Sequence, residues 1–172
     1  ITRCLAAFNR GQGFYDLEYA DYYRNNSRIF NNTAYKNGYG FGGSSNTVRP
    51  YRLSQYFNNI AYASTELTPS SDPYSVVLLE EPYVESNNTW RFNDPRPGSW
   101  PWFLEAIVVT DADFVSVDST GISGPRKADG SLPDINFLKL AQGSNLIDAG
   151  VNIGLAYNGA APDIGYQEYE TT

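Results

Sequence analysis

The hydrophobic and polar positions in the first third of the chain follow a unit that recurs. Cys4-Leu5-Ala6-Ala7-Phe8-Asn9-Arg10-Gly11-Gln12-Gly13-Phe14 lies over Asn31-Asn32-Thr33-Ala34-Tyr35-Lys36-Asn37-Gly38-Tyr39-Gly40-Phe41 at an offset of 27. The same shift again reaches Asn58-Asn59-Ile60-Ala61-Tyr62, which aligns Ala7, Ala34 and Ala61, and likewise Phe8, Tyr35 and Tyr62. A small residue, an aromatic, a polar pair and then Gly-x-Gly-Phe predict a short strand, a tight turn and a second short strand. The glycine pair argues against a helical repeat. Units of this size bury their inward residues only by stacking, as the coils of a parallel β-helix do. Asn31 over Asn58 and Asn32 over Asn59 then predict side-chain ladders running along the stack.

After about residue 65 the repeat fades, and Pro69, Pro73, Pro82, Pro95, Pro97 and Pro101 mark irregular wall and loop. Val76 to Leu79 and Phe103 to Val109 are apolar enough for strands or for one short buried helix. In Asp134 to Ala149, the apolar Ile135, Leu138, Leu140, Leu146 and Ile147 followed by Gly150 predict a short helix ended by that glycine. The expected organisation is one domain, with β-helix coils over residues 1–65 and the last coils, long loops and a C-terminal cap over 66–172.

Composition agrees with strands and turns. Only 18% of residues are charged, tyrosines number 14, and histidine and methionine are absent. Without histidine, a Ser-His-Asp or Cys-His site cannot form within the chain. The single cysteine, Cys4, excludes an intrachain disulfide and a multi-cysteine zinc site. The longest apolar runs, Ser75 to Leu79 and Trp102 to Thr110, fall well short of a membrane span of roughly 18 residues. Sequons stand at Asn25-Asn26-Ser27, Asn31-Asn32-Thr33 and Asn87-Asn88-Thr89, and would mark surface positions if glycosylated.

The strings quoted for the repeat resemble the secreted right-handed parallel β-helix proteins of the family 9 pectate lyase type. So do Asp113-Phe114-Val115-Ser116-Val117-Asp118, Gly124-Pro125-Arg126-Lys127-Ala128-Asp129-Gly130-Ser131-Leu132-Pro133, Asn145-Leu146-Ile147-Asp148-Ala149-Gly150 and Ala161-Pro162-Asp163-Ile164-Gly165. The resemblance implies an all-β fold made of a pectate lyase-like solenoid, here its C-terminal coils plus an irregular capping segment. It also implies β-elimination of a uronate polysaccharide, a secreted or cell-surface location, and calcium in the full-length enzyme. The family's calcium string resembles Asp-Asp-Gly-Phe-Asp, and its base is a lysine soon after a Gly-Phe pair. Neither is complete here: Gly13-Phe14 is followed by Tyr15 and Asp16, and Gly40-Phe41 by Gly42 and Gly43. The expectation is therefore a C-terminal part whose catalytic coils lie upstream, with no catalytic residue and no metal ligand assignable in this chain. Asp111, Asp113 and Asp118 are close in sequence but lack a complete calcium-loop pattern, and read as turn residues flanking a strand.

Charge places the expected contact surface. Residues 1–60 carry seven basic residues against three acidic ones, a net +4, while the other 112 carry five against sixteen, a net −11; together these give the −7 of the whole chain. A basic coil region rich in tyrosine, which includes Tyr19, Tyr22 and Tyr23, fits a groove for an anionic, pectate-like polysaccharide, with rings on sugars and cations on carboxylates. The candidate contacts are Arg10, Tyr15, Arg24, Arg28, Tyr35, Lys36 and Tyr39. The competing reading has the tyrosines filling the coil interior and the arginines as ordinary surface charge. No nucleic-acid motif is present, and the chain is acidic overall. A non-catalytic β-helix module for carbohydrate binding, adhesion or filament assembly is the alternative function. In that case the uncovered first coil would associate end to end, or pair with an upstream β-helix segment.

Overall fold

A computed structural model describes residues 1–18, 27–45, 54–64, 77–79, 83–93 and 102–170. The strands, in chain order, are β1 (Leu5–Ala7), β2 (Gln12–Glu18), β3 (Arg28–Phe30), β4 (Thr33–Tyr35), β5 (Tyr39–Ser45), β6 (Ser54–Phe57), β7 (Ile60–Tyr62), β8 (Val77–Leu79), β9 (Tyr83–Ser86), β10 (Trp90–Asn93) and β11 (Trp102–Glu105). They form three parallel sheets, β1-β4-β7, β2-β5-β8 and β3-β6-β9, with an antiparallel pair, β10-β11, after them. Every third strand pairing in parallel with the last is a right-handed parallel β-helix: the chain winds through the three walls and each coil lies on the one before. The two apolar stretches left open between helix and strand both contain strands, β8 and β11.

Glycine and asparagine set the corners. Between β3 and β4 the chain turns within two residues, the first of which is left-handed in every coil: Arg3, Asn31, Asn58 and Asn87 have φ of 51, 51, 57 and 54°. Asparagine tolerates that conformation because its short polar side chain can bond locally. The second corner residue carries the ladder. Asn32 Nδ2 donates to Asn59 Oδ1 at 3.0 Å, and Asn59 Nδ2 donates to Asn88 Oδ1 at 2.9 Å. Each Oδ1 also accepts the backbone N–H of the asparagine in the preceding coil, and each Nδ2 reaches a carbonyl of that coil, Ile29 O for Asn59 and Tyr56 O for Asn88. Asn32, Asn59 and Asn88 are buried with their amides satisfied, as burial of a polar group requires.

The register corrects the sequence alignment in the first coil. Ala6, not Ala7, pairs with Ala34, and Ala7 pairs with Tyr35, whereas Gln12 pairs with Tyr39 and Phe14 with Phe41. The turn between β1 and β2 therefore holds one residue more than its counterpart between β4 and β5. Phe8, Lys36 and Ala63 are the equivalent left-handed corner residues, with φ of 61, 48 and 54°. The second alignment stands, since Ala34 pairs with Ala61 and Tyr35 with Tyr62.

Two apolar clusters hold the molecule. Inside the solenoid are Phe14, Ile29, Ala34, Phe41, Tyr56, Ala61 and Trp90. Phe14 stacks on Phe41 at 5.0 Å between centroids, and Phe41 meets Trp90 at 4.8 Å. Small residues are required where β5 passes β7, because a Cβ on Gly40 would lie 2.8 Å from that of Ala61. Outside the solenoid, Tyr35 and Ile60 pack with Phe114, Phe137, Leu138, Leu140, Leu146, Ile164 and Tyr166 from the closing segment. That segment covers the outer side of β1-β4-β7, which is why all three residues of β4 are buried.

The short helix expected in Asp134 to Ala149 does not form. The segment runs as turns and isolated bridges, Phe114 with Leu140 and Ser116 with Phe137, and Leu138 has a φ of 53° that no helix interior accommodates. Val115 donates to Lys139 O and Ala141 to Asp113 O, so its backbone groups are satisfied across the cap and not along a helix. The outer asparagines then fasten the rest of the segment to the coils. Asn31 Nδ2 donates to Asp163 O, Asn58 Nδ2 to Val151 O and Asn87 Nδ2 to Ala149 O, at 2.7–2.9 Å. The sequon at Asn31 is thus buried ladder and not glycan surface, the amide of Asn87 is occupied, and Asn25 and Asn26 lie outside the described residues.

Candidate functional site

The outer face of β2-β5-β8 carries an exposed ring. Tyr15, 46% exposed, pairs in register with Gly42. A Cβ on Gly42 would lie 2.8 Å from Tyr15 Cδ2 and 3.0 Å from Gln12 Cγ, so the ring and the Gln12 stem occupy the space a side chain there would fill. A glycine within a strand commonly marks such a close approach. Its result here is a ring seated on backbone with its other surface toward solvent. Tyr39 opens β5 in register with Gln12 and donates its N–H to Gly11 O, which brings the exposed Arg10 turn alongside.

The other candidates are distributed differently. Lys36 is exposed at its corner with Nζ 5.1 Å from the Tyr35 ring centroid, a cation–π contact worth roughly 0.5–1 kcal/mol at such a site. Tyr35 itself is 1% exposed between Phe8, Phe137 and Tyr62, so it is a packing residue and its faces are not available to a sugar. Arg28 begins β3, on another wall, next to Gln55 in register, and its carbonyl accepts the Ile1 amino group. Arg24, Tyr19, Tyr22 and Tyr23 lie outside the described residues. The structure therefore sets Tyr15 and Gln12 beside Gly42, puts Arg10 in the adjoining turn and Tyr39 at the start of β5, and separates Arg28 and Tyr35 from them. Gly42 left one trace in the sequence, the Gly-Gly pair after Phe41; Gln12 left none.

The three clustered aspartates are spoken for individually. Tyr62 donates its hydroxyl to Asp111 Oδ1 at 2.7 Å, and burial first, then this bond, pushes the Tyr62 phenol well above its ordinary value. Asp113 accepts from Thr110 N, Thr110 Oγ1 and Ser144 Oγ. Asp118 accepts from Thr120 Oγ1 and N, which hold its carboxyl below the usual range. Among the described residues no three acidic or thiol groups converge on a point where a metal ion could sit.

Over 166 residues, 96% of its length, the chain is 30% identical to pectate lyase L of Dickeya dadantii (strain 3937), and to the same degree to pectate lyase L of Dickeya chrysanthemi. The chain is a parallel β-helix similar to these lyases. The crystal structure of pectate lyase Pel9A superposes with a TM-score of 0.68 and 28% identity, over 98% of this chain and 35% of that one. No family model matches. This pectate lyase-like chain spans about a third of the length of the curated relatives it matches. No helix among the described residues is long and apolar enough to cross a membrane.

Proposed function

We propose that the chain is part of a secreted or cell-surface protein of pectate lyase type, which cleaves an anionic, pectate-like polysaccharide by β-elimination, and that the outer face of β2-β5-β8 holds the polymer. The match to pectate lyase L along nearly the whole chain carries this reading. In such a reaction a base removes the proton beside the uronate carboxylate while positive charge neutralises that carboxylate. The residues here supply binding: Tyr15 stacks on a sugar ring, Gln12 bonds hydroxyls at its edge, and Arg10 pairs with a carboxylate. No catalytic residue is assigned to this chain. A calcium requirement of the longer protein remains part of the proposal, and no step is routed through calcium here.

Ultraviolet absorbance of unsaturated product from polygalacturonate, with and without calcium, tests the reading. Product is expected from the full natural protein, reduced by Tyr15→Ala. Its absence under both conditions would establish a non-catalytic binding module instead. Among the described residues β1 and β2 each have a partner strand on one side, β4 and β5, which leaves their other edges for a further coil or a second copy. Sedimentation of the isolated chain distinguishes end-to-end association, which grows with concentration, from a monomer.

A further inference from the structure

The chain contains two Asn-Gly pairs, and the fold treats them in opposite ways. Asn37-Gly38 is locked into the coils: Asn37 is 1% exposed, its Nδ2 donates to Ala6 O at 2.8 Å, and its Oδ1 accepts both Asn9 N–H and Asn9 Nδ2. The Gly38 N–H is also taken, by Asn9 O at 2.9 Å. Asn158-Gly159 instead lies exposed on the closing segment. Asp148 Oδ1 accepts the N–H groups of Ala160 and Ala161 at 2.8 and 3.0 Å, which fixes the turn without engaging Gly159. Among the described residues nothing bonds to the Gly159 N–H or to the Asn158 side chain. The pair stands inside the latch between the tail and the first coil. Asn158 N–H donates to Glu168 Oε2 at 3.4 Å, the same carboxylate faces Arg3 at 3.6 Å, and Arg3 also donates to Ala156 O.

We propose that Asn158-Gly159 is a site of spontaneous deamidation to isoaspartate, which loosens the Arg3–Glu168 latch, and that the fold protects Asn37-Gly38 from the same reaction. Asparagine is a thermolabile residue, and a glycine after it offers the least hindered backbone nitrogen. Gly159 N gives its proton to hydroxide and bonds to Asn158 Cγ. The Cγ–Nδ2 bond breaks, and Nδ2 leaves as ammonia with a proton from water. Water then adds to one carbonyl of the cyclic imide and opens it, so the net change is amide plus water to carboxylate plus ammonium. Opening at the α-carbonyl routes the main chain through Cβ and Cγ, one carbon longer, and leaves the α-carboxylate as a branch. That lengthening falls between the Asn158 N–H bound to Glu168 and the Ala160 and Ala161 N–H groups bound to Asp148, so both sets of bonds cannot keep their places. The new negative charge beside Glu168 adds to the disturbance.

The test holds the folded chain in weakly alkaline buffer made with heavy-oxygen water. An acid-active protease then releases the peptides, and mass spectrometry with electron-transfer fragmentation separates isoaspartate from aspartate at each position. Label is expected at position 158, mostly as isoaspartate, and at least about tenfold faster than at position 37, which reacts only after a local opening of the coils. In concentrated urea the two sites should react at similar rates, since both are Asn-Gly. Asn158→Gln should end labelling at 158, because its longer side chain closes a larger ring. The isoaspartyl form, separated by ion exchange, should unfold at a lower urea concentration than the fresh chain. Asn158→Asp gains the charge without the extra carbon and should shift the midpoint less. Equal rates at 37 and 158 in the folded chain would overturn the proposal, as would labelling at 158 that is much slower folded than in urea. An unchanged urea midpoint for the isoaspartyl form would overturn its effect on the latch. Asn158 is exposed, so both variants test the reaction in a folded chain.

Discussion

Asn59 holds Asn32 above it and Asn88 below it at 3.0 and 2.9 Å, and its side chain has no access to solvent. Its amide closes hydrogen bonds to the coil before it and the coil after it. Asn59→Ala would remove the acceptor of the Asn32 backbone N–H and one acceptor of Asn32 Nδ2, the side-chain donor to the Ile29 carbonyl, and one of the two donors to Asn88 Oδ1, which keeps the backbone N–H of residue 59. A loss of about 3 kcal/mol is expected from several orphaned buried groups, measured as a shift of the urea midpoint. Asn59→Asp should be no better, since a carboxylate cannot donate to Asn88 or Ile29.

Gly42 is the seat of the Tyr15 ring. Gly42→Ala places a Cβ within 2.8 Å of that ring and swings it off the sheet, because an exposed side chain yields more readily than backbone. Polygalacturonate affinity should fall by roughly fivefold, about 1 kcal/mol, with a nearly unchanged unfolding midpoint. Tyr15→Ala should produce a similar loss and the double variant little more, which affinity electrophoresis in pectate gels can establish.

Phe137 fastens the closing segment to the coils. It is 1% exposed and meets Phe8 at 6.0 Å and Tyr35 at 5.5 Å. Phe137→Ala should cost about 3–5 kcal/mol and weaken near-ultraviolet circular dichroism through Tyr35 and Tyr62. Far-ultraviolet signal from the coil strands should survive better, since the interior stack of Phe14, Phe41 and Trp90 does not include the cap.

Glu168 gives stability a pH dependence of definite sign. Burial, the largest influence, raises its carboxyl above the ordinary value, although Asp163 N–H and Asn158 N–H bond to it and Arg3 opposes the shift. The native state then holds this proton more tightly than the unfolded chain does. Its favourable contribution is complete below the unfolded value and is lost as pH rises through the folded one. Glu168→Gln should remove that loss: the gap in stability between variant and wild type should move in favour of the variant from acid to neutral pH. Denaturant titrations at a series of pH values check this. The exposed Asp118, Asp129 and Asp134, all held below the usual range, act with the opposite sign, their contribution vanishing as pH falls through their folded values.

What the sequence determined by itself was the solenoid. Stacked coils place like residues over like, so Ala34 over Ala61, Asn31 over Asn58 and Asn32 over Asn59 had to appear as a period. Nearest-neighbour packing writes itself into the chain as repetition. Only the tertiary structure decided the extra residue in the first turn, which moves Ala6 and not Ala7 over Ala34, and the continuation of the ladder to Asn88 after the visible repeat had faded. It alone decided that Tyr35 is covered and Tyr15 is not. Both are aromatic strand residues, and the difference is made by Phe137 and Leu138, about a hundred positions away. The cap obeys no period, because its apolar residues answer to the outer wall of the coils, and its backbone, satisfied by that wall and by its own crossings, has no use for the helix that local spacing suggested.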